Sequence, residues 1–128
     1  MIVLDASVLI AHLDGADLHH DEATDLLVSA AEDDLVASPI TLAEVLVGPA
    51  RSGELHRATT ALDLLGVGVV ALDADAPTKL ALLRAGTGLK LPDCCVILAA
   101  ESVGAELATF DHRLAGVANE HGVAVRRG

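Results

Sequence analysis

Four acidic side chains stand almost alone in apolar stretches of the sequence, and such isolated acids are where chemistry is to be sought: Asp5, Glu44, Asp93 and Asp111. Asp5 is the sole formally charged side chain in residues 1–13, Glu44 the sole one from Leu35 to Ala50, and Asp93 the sole one between Lys90 and Glu101. A carboxylate buried without a partner is costly, so each must reach a crevice, cap a helix or share a counter-ion. Asp5 follows Ile2-Val3-Leu4, Asp111 follows Leu107-Ala108-Thr109-Phe110, and Asp93 opens a helix after Pro92. Aspartate at such junctions is also a good helix N-cap, and capping competes with chemistry at all three. Glu44 lacks that alternative. At helical spacing it shares a stripe with Ile40, Ala43 and Val47, where a solvated face would carry more charge. If the four acids converge, their repulsion raises pKa values or demands a divalent cation, and an all-oxygen donor set suits Mg²⁺ or Mn²⁺.

The elements that must position these acids alternate along the chain. Strands are predicted at Ile2–Leu4, Leu35–Ser38, Val67–Leu72, Leu107–Phe110 and Val123–Val125. Helices are predicted at about 6–13, 20–33, 40–49, 54–65, 75–86, 93–103 and 112–121. Every crossover contains a helix and the strands are apolar on both faces, so the strands can run parallel under two helical layers. The expected fold class is α/β, a three-layer α/β/α sandwich on a mostly parallel five-stranded sheet. Pro39 and Pro92 sit at helix starts, and Gly66, Gly104 and Gly122 follow helix ends. Residues 48–54 read as a bend between two helices of one crossover. In such sheets ligands bind beyond the carboxyl ends of the strands, where Asp5 and Asp111 fall.

Composition narrows the function classes. At 128 residues the chain is expected to form one domain, 1–128. Apolar residues make up 52%, and the mean hydropathy of +0.53 excludes disorder of the low-hydrophobicity kind. Phe110 is the only aromatic residue among Phe, Trp and Tyr, which argues against a stacking platform for single-stranded nucleic acid. The net charge of −11, from 8 Lys plus Arg against 19 Asp plus Glu, repels nucleic acid unless cations or a local basic patch intervene. With no basic start and no long apolar run, the protein is expected to be soluble and cytoplasmic. Adjacent Cys94 and Cys95 read as reduced, small and buried, since no cationic neighbour acidifies a redox-sensing pair. The six His residues lack HxH or HxxxH spacing, so surface placement is expected rather than zinc ligation.

The chain resembles the PIN-domain ribonucleases, especially the VapC-type toxins of type II VapBC toxin–antitoxin systems. The resemblance covers nearly the whole chain and rests on Ile2-Val3-Leu4-Asp5-Ala6-Ser7, Glu44 in the helix after the second strand, Leu89-Lys90-Leu91-Pro92-Asp93, and Ala108-Thr109-Phe110-Asp111-His112-Arg113-Leu114. It implies that Asp5, Glu44 and Asp93 are the central catalytic, metal-holding acids and that Asp111 fills a fourth, more variable position. Ser7 and Thr109 match small hydroxyl positions that orient a carboxylate or water; an N-cap and a β-branched strand residue remain their alternatives. The implied activity is that of a toxin acting as an Mg²⁺- or Mn²⁺-dependent endoribonuclease, hydrolysing phosphodiester bonds in a structured RNA, tRNA or ribosomal RNA. Arg84, Lys90 and Arg113, with Arg51, Arg126 and Arg127, are candidate contacts to RNA phosphates. Implied partners are a separate cognate antitoxin, in a hetero-oligomer, and a second copy in a homodimer; Leu26, Leu27, Leu62, Leu64 and Leu65 serve either interface or core. Two alternatives rank lower. A metal-dependent phosphoryl-transfer enzyme of haloacid-dehalogenase type needs a second Asp where Ser7 stands, and a receiver domain needs a late Lys, whereas none follows Lys90. A catalytically silent PIN-like binding partner would have lost acids that this chain keeps.

Overall fold

The computed structural model describes residues 1–126, so Arg127, one of the candidate phosphate contacts, lies outside the described residues. The elements run β1 (Ile2–Leu4), α1 (Ala6–Leu13), α2 (His20–Ser29), β2 (Leu35–Ala37), α3 (Pro39–Ser52), α4 (Leu55–Leu65), β3 (Gly68–Val69), α5 (Ala76–Thr87), α6 (Leu91–Val103), β4 (Glu106–Ala108), α7 (His112–Glu120) and β5 (Val125–Arg126). The five strands form one sheet in the order β3-β2-β1-β4-β5, and every pairing is parallel. In register, Ile2 opposes Leu35 on one side and Glu106 on the other.

Alternation along β1 and β4 splits the core into two layers. Ile2, Leu4 and Ala108 face one cluster with Val8, Leu9, Leu26, Val45 and Leu62, so α1–α4 cover this face. Val3 and Leu107 face the other, with Leu89, Ile97, Leu114 and Ala118 of the α5–α7 layer. All three β1 residues are completely buried, which for each stabilises the fold by about 1.5–3 kcal/mol relative to exposure. The chain winds from β1 outward through β2 to β3, then returns past β1 to β4 and β5. The order therefore reverses between β1 and β4, the place where sheets of this kind bind ligands beyond the strands' carboxyl ends.

Several boundaries differ from the sequence expectation for identifiable reasons. The bend between two helices within 48–54 is confined to Gly53 and Glu54: α3 continues through Pro49 to Ser52 and ends at Gly53, whose φ of +77° gives the left-handed turn. Pro49 removes only the bond its own N–H would have made to Val45, and its carbonyl accepts from Glu54 N–H at 2.8 Å. Helix α2 stops at Ser29 rather than 33, because Glu32, Asp33 and Asp34 would place three anions at the negative end of the helix dipole. Strand β3 is only Gly68–Val69, with Val70 N–H still bonded to Ala37 O. Strand β5 begins at Val125 rather than Val123, whose N–H instead bonds Ala118 O at the end of α7. Strand β4 ends at Ala108, not Phe110, because the next backbone amides are diverted to side chains of the site. Leu26, Leu27 and Leu62 are core, Leu65 packs against its edge, and Leu64 is exposed. Among the described residues no helix is long and apolar enough to cross a membrane.

Candidate active site

Asp5 leaves β1 with extended backbone and stands at the N-cap position of α1, yet its side chain makes no capping bond. Its carboxylate turns to two hydroxyls instead: Ser7 Oγ donates to Oδ2 at 2.7 Å and Thr109 Oγ1 donates to the same oxygen at 2.8 Å. The direction of these bonds is fixed by what the hydroxyls accept. Phe110 N–H donates to Ser7 Oγ at 3.1 Å and Asp111 N–H to Thr109 Oγ1 at 3.0 Å, so each hydroxyl hydrogen is left to face Asp5. Asp5 N–H also donates to Ala108 O at 3.0 Å. The β1–α1 and β4–α7 junctions are thereby stitched through one buried carboxylate. Neither hydroxyl is merely a local cap or a strand filler.

The other acids surround this anchor with unequal commitments. Asp111 does cap, its Oδ1 accepting from Leu114 N–H at 3.0 Å. Asp93 lies in the first turn of α6 beyond the N-cap residue Lys90, so capping does not account for it. Burial, then Asp5 and Asp111, push the Asp93 carboxyl above the ordinary aspartate range, while Lys90 and Arg113 act against the rise. Against expectation Glu44 lies on an exposed face of α3 with Ile40, Ala43 and Val47; its partial burial, then Asp5 and Asp93, still raise it. These couplings bring all four acids into one electrostatic neighbourhood spanning β1, α3, α6 and the β4–α7 junction. Among the described residues, no three His, Cys, Asp or Glu side chains are drawn together tightly enough to hold an ion unaided. The donor chemistry nonetheless fits a hard divalent cation: carboxylate and hydroxyl oxygens only, with repulsion that Lys90 and Arg113 offset only in part. Mg²⁺ in particular keeps several waters and is commonly held through one or two carboxylates.

Two cations border Asp93. Lys90 precedes α6, and Arg113 of α7 extends over the α5–α6 turn, its Nη2 3.4 Å from where a Cβ on Gly88 would lie. Arg84 Nη1 donates to Leu89 O at 2.9 Å and so steadies the same turn. Arg126 is engaged by Glu106 at 2.6 Å and Asp33 at 3.5 Å, and Arg51 is exposed in the last turn of α3. Cys94 and Cys95 are buried, and burial raises both thiols despite Arg84 near Cys94.

His56, His112 and His121 are exposed as expected, whereas His12, His19 and His20 are half-buried. His20 Nδ1 donates to Ala11 O at 2.8 Å and His12 Nδ1 meets Thr24 Oγ1 at 3.1 Å, tying α1 to α2. His19 stacks on Phe110, ring centroids 5.1 Å apart and planes inclined by 21°. Sequence reasoning missed this pair because nothing local links residues so far apart in the chain.

The PIN domain family matches residues 2–120. No curated protein matches the chain. Among solved structures, the chain is similar to VapBC2 from Rickettsia felis bound to a promoter DNA fragment, with a TM-score of 0.76 at 18% identity over 99% of this chain and 98% of that one. It is similar to a toxin–antitoxin complex from Klebsiella pneumoniae, with a TM-score of 0.75 at 26% identity over 91% and 92%. It is also similar to VapC20 of Mycobacterium tuberculosis, a Sarcin-Ricin loop cleaving toxin, with a TM-score of 0.76 at 20% identity over 91% and 95%.

Proposed function

Because the chain belongs to the PIN domain family, we propose that it is the toxin of a toxin–antitoxin pair, a Mg²⁺- or Mn²⁺-dependent endoribonuclease that hydrolyses phosphodiester bonds in a structured RNA, tRNA or ribosomal RNA. The observation that carries this reading is Asp5, buried at the β1–β4 reversal and oriented by Ser7 and Thr109, with Glu44 and Asp93 raised by burial and then by its charge. Asp5, Glu44 and Asp93 would hold a divalent cation, which would supply the Lewis acidity that phosphodiester hydrolysis needs.

The residues divide the remaining work. Ser7 and Thr109 both bond Oδ2 of Asp5, which fixes the carboxylate plane before any ligand arrives. Glu44 and Asp93 approach from α3 and α6 as the other principal cation ligands. Asp111, with Oδ1 tied to the α7 amide, contributes chiefly by position and by charge. Lys90 and Arg113, beside Asp93, receive the substrate phosphates. A chain of net charge −11 gains little general attraction for RNA, so recognition falls on a particular fold of RNA. The similarity to the Klebsiella toxin–antitoxin complex supports a separate cognate antitoxin as partner in a hetero-oligomer; a homodimer of this chain is the other assembly proposed.

Incubating total cellular RNA with the purified, partner-free protein in Mg²⁺ or Mn²⁺ tests the reading, with chelator and Asp93→Asn protein alongside. Discrete fragments lost in both controls are expected. Intact RNA from folded protein that binds the ion would overturn it, leaving the phosphoryl-transfer or silent-partner alternatives.

A further inference from the structure

We infer that the His19 imidazole, backed by Phe110, is a stacking platform for the base of a nucleotide next to the scissile phosphate. The inference rests on the ribonuclease reading and adds to it a residue that holds the substrate.

The platform is attached to the site through its lower ring. Phe110 lies between Thr109, which bonds Asp5, and Asp111, and its own N–H donates to Ser7 Oγ at 3.1 Å. The bonds that orient the carboxylate therefore also set the place of the ring. His19 rests on Phe110 at 5.1 Å, and its side chain is 45% exposed. With Nδ1 buried and one face resting on Phe110, the rest of the ring is what an incoming base can meet.

Structural demands do not account for His19. It stands at the N-cap position of α2 but makes no side-chain capping bond. Its buried Nδ1 has no hydrogen-bond partner among the described residues, and Glu22 Oε1 lies 3.5 Å away. Stacking on Phe110 and the approach of Glu22 define the ring's position.

Charge decides which part of a nucleotide fits there. Asp17, whose Oδ1 accepts from His19 N–H at 2.8 Å, together with Asp21 and Glu22, makes this flank repulsive to phosphate. An uncharged base face meets no such penalty, and stacking on a ring is indifferent to sequence. Lys90 and Arg113 belong to the opposite helical layer, on the other side of the acidic site. The substrate is then gripped by its backbone on the α6–α7 side and by a base on the α2 side.

The test uses a synthetic RNA oligonucleotide carrying the cleavage site mapped on total RNA, with steady-state kinetics of wild type, His19→Leu and His19→Phe. His19→Leu keeps apolar bulk but loses the π-face, and should raise KM roughly ten-fold with kcat nearly unchanged. His19→Phe should restore the wild-type KM, a rescue that a titration role would not give, and the abasic substrate below separates stacking on the base from packing on Phe110. Replacing the stacked nucleotide by an abasic one should erase the difference between wild type and His19→Leu. An unchanged KM in His19→Leu, or failure of His19→Phe to rescue it in a protein of wild-type melting temperature, overturns the inference while the nuclease stands. A wild-type protein that cleaves no RNA overturns both.

Discussion

Replacing Thr109 by valine removes one hydroxyl and leaves the side chain nearly the same shape. The lost group donates to Asp5 Oδ2 at 2.8 Å and accepts from Asp111 N–H at 3.0 Å. Thr109 is fully buried, so water cannot take its place. A hydrogen bond to a charged group stabilises by about 1.5–3 kcal/mol, so Thr109→Val should cost about 2 kcal/mol in urea denaturation at pH 7 with chelator present. With an unfolding entropy near 2.1 cal/mol/K per residue, that is a fall in melting temperature of about 7 °C for a chain of 128 residues. Thr109→Ser, which retains the hydroxyl, should lose less. The same change in an Asp5→Asn background breaks a neutral bond of about 1 kcal/mol instead, so the two substitutions should couple by roughly 1 kcal/mol. Equal costs in both backgrounds, or a Thr109→Val protein within about 0.5 kcal/mol of wild type, would refute the idea that this hydroxyl holds the Asp5 charge.

Other consequences follow from the same geometry. Burial and neighbouring acids raise Glu44 and Asp93, so each binds its proton more tightly folded than unfolded. The stability this gives is complete below the unfolded pKa and is lost as pH rises through the folded one. Glu44→Gln and Asp93→Asn should therefore raise the melting temperature of ion-free protein at pH 7, with the gain vanishing below about pH 4; no gain at pH 7 would contradict the coupling. Gly88 has a φ of +73° with Arg113 lying over it, so Gly88→Ala should destabilise by about 1–2 kcal/mol in urea denaturation, and a neutral result would count against that turn. Cys94 and Cys95 are buried with raised thiol pKa values, so a thiol reagent at pH 8 should label them only as fast as the protein opens; rapid labelling of folded protein would argue otherwise.

The order of elements was legible because the acids and the apolar runs punctuate the chain, and β1 and α1 fall where Asp5 divides them. What was not legible depended on distant partners. Thr109 and Phe110 continue a strand pattern, yet their region leaves the sheet because Ser7 and Thr109 side chains capture the amides. Gly48-Pro49 carries a turn signature, but α3 tolerates a proline this close to its end. Four lone acids stand out in the sequence as the candidate site, while capping and chemistry at them are not separable by sequence. Asp5 makes no capping bond and Asp111 makes one, a difference set by hydroxyls beyond the local sequence. The lone phenylalanine argued against a stacking surface, and only the fold brings His19 onto it.

The central claim is that Asp5, Glu44 and Asp93 serve one divalent cation. Calorimetric titration of Mn²⁺ into the partner-free protein tests it most directly, comparing wild type with Asp5→Asn, Glu44→Gln, Asp93→Asn and, as control, Glu106→Gln, whose carboxylate pairs with Arg126 on β5. Each of the first three substitutions should weaken binding at least roughly ten-fold and Glu106→Gln should leave it unchanged. An isotherm indifferent to the three, or equally sensitive to Glu106→Gln, would contradict a shared metal site.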